Sequence, residues 1–127
     1  MKAKVNEAVG PVLDWMVAKC EGHVESGVYG EPVLRDGQLH IHYCGVVLDD
    51  VWCPSTNWAQ GGPIIEREKI DLYQSTGRTC AAMWENLPGG GRLIAEAKDC
   101  PTPLIAAMRC YVVSKLGEEV GVPDELV

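Results

Sequence analysis

A double glycine runs into a proline in Asn57-Trp58-Ala59-Gln60-Gly61-Gly62-Pro63-Ile64-Ile65-Glu66-Arg67-Glu68, and this join constrains the fold more than any other stretch. Glycine frees the backbone, whereas proline fixes φ and removes an N–H, so the chain has to change character here. Pro63 suits the first position of a short helix running through about Ile70, with Cys53 to Gly62 forming the loop ahead of it. A second fixed point is Thr102-Pro103-Leu104-Ile105-Ala106-Ala107-Met108-Arg109-Cys110-Tyr111. Thr102 can cap, Pro103 fits the first turn, and Gly117 is placed as a stop. Leu104, Ile105, Met108, Tyr111, Val112 and Leu116 make an apolar stripe broad enough to require a covering layer.

Between these points the pattern alternates. Val9, Val12, Leu13, Met16 and Cys20 recur at helical spacing within residues 6–21, and Gly22 can end that helix. If Asn6 caps it, Pro11 falls inside and bends it; if Gly10 caps it, Pro11 takes the favoured first position. The second arrangement is the expectation, and it leaves residues 1–9 irregular or partly helical. Short extended pieces follow. Arg35-Asp36-Gly37-Gln38 is a turn, Leu39-His40-Ile41-His42-Tyr43 alternates as a half-buried strand does, and Val46-Val47-Leu48 is closed by Asp49-Asp50. Ile70-Asp71-Leu72-Tyr73 reads as extended and Ser75-Thr76-Gly77 as a turn, with Thr79 to Trp84 returning as the hairpin partner. Pro88-Gly89-Gly90-Gly91 reads as a mobile connection, and Val120-Gly121-Val122-Pro123 as a tail extended over the body. The sum is one α+β domain over residues 1–127, two main helices and a short middle one packed on a small, mostly antiparallel sheet.

Charge excludes some functions. The net charge is −7, and residues 23–60 carry five acids against Arg35 alone. No lysine/arginine stripe is present, so phosphate-driven nucleic-acid binding is not expected. No apolar run reaches membrane-spanning length and the N-terminus lacks a signal-peptide core, so a cytoplasmic protein is expected. Cys20, Cys44, Cys53, Cys80, Cys100 and Cys110 show no C-x-x-C pair and read as free, mostly buried thiols.

Pro54 to Glu68, Thr102 to Tyr111 and the ending Val122-Pro123-Asp124-Glu125-Leu126 together resemble the phage NinX family. Leu13-Asp14-Trp15 with Val17-Ala18-Lys19 resembles that family's opening helix, while residues 23–52 and 71–100 show little that aligns by eye. The resemblance implies a small protein of temperate phages and prophages, a domain of unknown function acting in the bacterial host. Pro11, the high cysteine count and Asn57, where the family more often has Asp, are departures. The last weakens any metal or proton-transfer role for a carboxylate at that position.

Candidate sites can be weighed against simpler readings. Trp58 beside two glycines can anchor a partner, and Asn57, Gln60 and the free N–H groups of the next helix can receive an anion. Turn chemistry and core packing account for the same residue types. Glu66 and Glu68 point to different faces of a helix and cannot pair as an acid/base centre, so a solvated face is the simpler reading. Arg109 interrupts an apolar stripe and is expected to ion-pair with Glu66 or Glu68. His40, His42 and Cys44 share one face of an undistorted strand and are residue types that bind zinc, with His23 or Cys53 as a fourth ligand. Three such residues without a paired motif are thin support, so neither metal nor cofactor is expected. No nucleophile or phosphate-loop string occurs. The leading expectation is a non-enzymatic interaction module with a host or phage protein as partner. Its surface holds Asn57, Trp58, Gln60, Glu66 and Glu68, with Arg109 close by, and a two-fold homodimer stays open. The alternative is a ligand-binding or hydrolytic enzyme whose pocket is lined by Trp58, Glu66 and Arg109.

Overall fold

The computed structural model describes residues 1–24 and 29–126. In chain order the elements are β1 (Lys2–Lys4), α1 (Gly10–Cys20), β2 (Tyr29–Arg35), β3 (Gln38–Tyr43), β4 (Val46–Val51), α2 (Trp58–Glu68), β5 (Asp71–Ser75), β6 (Arg78–Leu87), β7 (Gly90–Cys100), α3 (Pro103–Leu116) and β8 (Glu119–Gly121). Short 3-10 turns at Val5–Glu7 and Asp124–Leu126 complete it. The fold is α+β, with three small antiparallel sheets ordered β1-β8, β2-β3-β4 and β5-β6-β7 where one sheet was expected. The middle helix is as long as the first, at 11 residues each.

The core forms around α3. Thr102 Oγ1 accepts the Ile105 N–H at 3.1 Å, and every residue from Leu104 to Val112 is buried, so over that length the helix has no solvent face. Its neighbours are Ala81 and Met83 of β6, Ala95 and Ala97 of β7, Leu13, Met16 and Val17 of α1, and Ile64 of α2. Ala106 and Ala107, both 0% exposed, let these elements approach closely.

Two-residue turns set the strand registers. Asp36-Gly37, Cys44-Gly45 and Thr76-Gly77 all have positive φ at both positions, the type I′ geometry that matches strand twist. Pro88-Gly89 joins Leu87 to Gly90 directly, so the expected mobile connection is a tight hairpin turn instead. Asp49 and Asp50 lie within β4 rather than closing it. The N-terminal residues are not simply irregular. Lys2–Lys4 pair with Glu119–Gly121, which lays the extended tail along the N-terminus as expected. Pro11 sits in the first turn of α1, as in the preferred arrangement, although the cap position is Val9 and no side chain fills it.

The glycine–proline join behaves differently from its sequence reading. Helix α2 starts five residues before Pro63, at Trp58, because Asn57 caps it by accepting the Ala59 N–H at 2.9 Å. Pro63 therefore lies inside the helix, where the Ala59 carbonyl loses its i+4 donor. Gly62 precedes the proline, so the clash that a side chain there suffers in a helical conformation is relieved. Gly61 has another task. A Cβ there would meet the Pro54 carbonyl oxygen and lie 2.6 Å from Leu104 Cδ1, so the absent side chain lets α2 touch both the preceding loop and α3.

These two glycines should respond unequally to alanine. Gly61→Ala should cost about 2 kcal/mol through overpacking against backbone, whereas Gly62→Ala, which meets nothing within 4 Å beyond its chain neighbours, should restore only the local clash with Pro63 and cost about 1 kcal/mol. Urea unfolding of both variants checks this, and equal losses would refute the close-approach account.

Candidate functional site

Trp58 occupies the first helical position of α2 with 54% of its surface exposed. Its ring borders two shallow depressions. One, of about 360 Å³, is lined by Leu72, Tyr73 and Gln74 of β5, Thr79 of β6 and Pro103 at the start of α3. The other, of about 200 Å³, lies between Ser55 and Thr56 and the first turn of α3. Strand β5 forms one edge of its sheet, bonded to β6, and all five of its residues are exposed. The groove thus combines an indole, two further apolar residues (Leu72 and Pro103) and a sheet edge. No local pattern marks Leu72, Gln74, Thr79 or Pro103 as neighbours of Trp58, since residues from four elements meet there.

The polar side chains expected beside the indole serve the backbone. Asn57 Oδ1 is taken up by the Ala59 N–H, and the Asn57 carbonyl accepts from Gln60 at 3.1 Å and Gly61 at 2.9 Å. Gln60 Oε1 accepts the Cys53 N–H at 2.7 Å while its Nε2 donates to the Val51 carbonyl at 2.7 Å. The proposed anion cradle is therefore already filled from within the chain. What these bonds provide is a rigid seat for the indole.

Arg109 is 5% exposed and pairs with neither Glu66 nor Glu68. It donates to the Ala8 carbonyl at 3.0 Å and approaches Cys100 Sγ at 3.5 Å. The guanidinium that meets Glu68 is that of Arg67. It grips Glu21 at 3.1 and 2.7 Å, reaches Glu68 at 2.9 Å and donates to the Tyr111 hydroxyl at 3.2 Å. Tyr111 in turn donates to Glu21 at 2.6 Å, and Lys115 lies 3.6 Å from Glu68. All three helices are joined through this cluster. Burial opposes ionisation of Glu21, but the bonds from Arg67 and Tyr111 overcome it and hold the carboxyl below its ordinary value. Glu68 is thus engaged inside the cluster, while Glu66 is exposed. Neither depression bordered by Trp58 includes Glu66 or Arg109 in its lining, and Arg109 is buried.

The zinc-type trio is dispersed as well. Strand β3 ends at Tyr43, Cys44 adopts φ 47° as a turn residue, and a register shift separates His40 from His42. His40 is buried, its Nδ1 2.9 Å from the Leu48 carbonyl. His23 lies edge-on to Trp52 with ring centres 5.4 Å apart. Among the described residues no group of three His, Cys, Asp or Glu side chains could hold a metal ion. The cysteines are free, and burial pushes the Cys20 and Cys110 thiols up to about 12, which leaves them protonated and inert at neutral pH.

One titratable group escaped the sequence reading altogether. Asp14, on α1 and 3% exposed, accepts the Ser55 N–H at 2.8 Å, and its backbone carbonyl accepts Trp52 Nε1 at 2.9 Å. It holds the loop that leads into Trp58. Burial raises its carboxyl to about 6, against the opposing effect of bonds from Ser55. An Asp within α1 carries no mark in the sequence that distinguishes it from a solvated one.

A family model described as "Bacteriophage P22, NinX" matches residues 4–115. The match includes the stretches that did not align by eye. The chain belongs to that NinX family and is a phage accessory protein; the family carries no assigned activity. No curated protein matches it. Among the described residues no helix is long and apolar enough to cross a membrane.

Asp14 gives a pH prediction. Its carboxyl holds a proton up to about 6 in the folded chain and up to about 3.8 unfolded, so between these values the folded state binds more protons. Its contribution to stability therefore falls as pH rises through that window, by about 3 kcal/mol in total. Asp14→Asn keeps the acceptor without the charge. Unfolding free energies measured from pH 4 to 8 should show the variant gaining on wild type by that amount, mainly below pH 6.5, with little change above it. A flat difference would mean that Asp14 titrates as an exposed carboxylate does.

Proposed function

We propose that this chain is a non-enzymatic interaction module that works in the host cytoplasm by capturing an extended segment of a host or phage protein in the groove beside Trp58. The observation that carries the reading is a tryptophan half in water on an otherwise rigid mount. Capping by Asn57, the Gln60 clamp and the Asp14 bond to Ser55 all fix the chain around it, yet none buries the ring. An anchor that is already ordered loses little conformational entropy on binding. Tryptophan is also the residue type that most often dominates an interface.

The neighbouring strand supports an extended partner. Among the described residues β5 pairs with one strand, β6, so its other edge offers main-chain donors and acceptors to an added strand. Leu72 and Pro103 supply apolar contacts along the same groove. A net charge of −7 favours a neutral or basic segment over an acidic one.

Affinity capture from infected or lysogenic cells tests the proposal with wild type and Trp58→Ala. Because the ring is 54% exposed, the substitution should change stability by less than about 1 kcal/mol. Wild type should retain one host or phage protein stoichiometrically, and the variant should lose it. Equal capture by both would remove the groove from the function.

A further inference from the structure

The β5-β6-β7 sheet has a second face, turned away from α3. Strand register identifies it. Ala81 opposite Ala97 and Met83 opposite Ala95 point into the core, so Cys80 and Ala82 point outward, with Tyr73 opposite Cys80 and Glu96 opposite Ala82. Tyr73 reaches across the middle strand to bond Glu96 at 2.7 Å, which accounts for the burial of Cys80 and Ala82 on an outer face. Further along, the register skips one residue, so both Leu93 and Ile94 lie against Trp84. These three are 43%, 48% and 49% exposed, an apolar patch on the outside of the sheet.

Charge around this patch differs from the rest of the molecule. On this face strand register places Asp71, opposite Ala82, and Glu96 against Arg78 and Lys98, two of each sign, while the whole chain carries −7. The excess negative charge therefore lies outside this face. Several of the β6–β7 hairpin's charges are already paired with each other: Glu85 with Arg92, and Lys98 with Glu96 at 3.2 Å.

We infer that this outer face is a homodimer interface, on which a second copy of the chain packs its own Trp84, Leu93 and Ile94 across a two-fold axis. Two copies of an acidic protein repel each other over most of their surfaces. A face with equal numbers of both signs, partly paired within the chain, is where they can meet without that penalty. A basic partner chosen for charge would seek the acidic surfaces instead. Three side chains make a small apolar patch for a specific contact, so the dimer should form in the micromolar range rather than be obligate. None of Trp84, Leu93 and Ile94 lines the Trp58 groove, although Tyr73 borders both surfaces.

Sedimentation velocity on the intact chain over a dilution series tests this. Wild type should pass from dimer to monomer with a micromolar dissociation constant. Ile94→Lys and Trp84→Ser, both at exposed positions, should each weaken the dimer at least about tenfold with an unchanged far-ultraviolet circular dichroism spectrum. Leu93→Lys serves in place of either if that variant fails to fold. Trp58→Ala should dimerise as wild type does, which separates failure here from failure of the groove. Raising the salt concentration should leave the dimer intact or tighten it. Wild type that stays monomeric well above micromolar concentrations would overturn the inference. So would a dimer untouched by the hairpin variants, lost with Trp58→Ala, or dispersed by salt.

Discussion

The rest of the structure is arranged around the burial of α3 on every side. Nine successive residues, Leu104 to Val112, need cover, and no single sheet or helix can supply it, so α1, α2 and the β6–β7 pair each take one flank. This requirement explains features that look unrelated. Gly61 is bare because α2 has to come within touching distance of Leu104. Arg109, lying in the middle of the buried run, has to find acceptors inside, and it finds the Ala8 carbonyl and the Cys100 sulfur. Those bonds tie the N-terminal segment and the end of β7 to the central helix.

Two buried or half-buried carboxyls act in opposite directions on the same framework. Glu21 is held ionised by Arg67 and Tyr111 and links the three helices at one end of the molecule. Arg67 is half exposed, so the ion pair itself contributes modestly, and the buried Tyr111 hydroxyl bond is the better protected part. Asp14 is held toward its neutral form and secures the loop before α2. Acid weakens the first clamp and relieves the second. The helices and the Trp58 loop therefore depend on pH with opposite signs.

How much of this was legible in the sequence depended on whether a signal was local. Thr102 caps α3 as its hydroxyl and position imply, Asp36-Gly37 and Thr76-Gly77 turn as such pairs do, and the α+β class follows from the alternation of patterns. The start of α2 was misplaced because two local signals competed. Pro63 marks a first helical position, Asn57 marks a cap, and the cap prevailed through its bond to Ala59. Cys44 was grouped with His40 and His42 by strand parity, but Gly45 beside it makes a type I′ turn that ends the strand. Arg109, Arg67 and Asp14 were beyond local reach. Their partners lie across the fold, so which arginine is buried and which carboxyl is pushed up by burial depends on packing that no short window contains.

The aromatic residues carry the argument to its last step. The chain has four tryptophans and no phenylalanine, and a core short of aromatic bulk would be expected to draw every indole inward. Trp15 is buried and Trp52 half-buried, yet Trp58 and Trp84 stand 54% and 49% exposed on different sides of the β5–β7 sheet. Trp58 belongs to the groove beside Leu72 and Pro103, and Trp84 to the outer face with Leu93 and Ile94. Because the two surfaces do not share these residues, occupying one leaves the other open. A two-fold dimer through Trp84 would carry two Trp58 grooves at a fixed separation, so a partner with two extended segments, or a partner that is itself dimeric, would be held far more tightly than one groove allows. On these two proposals a modest groove and a modest dimer contact would suffice together, which would give a small acidic domain a physical reason to leave two large aromatic rings in water.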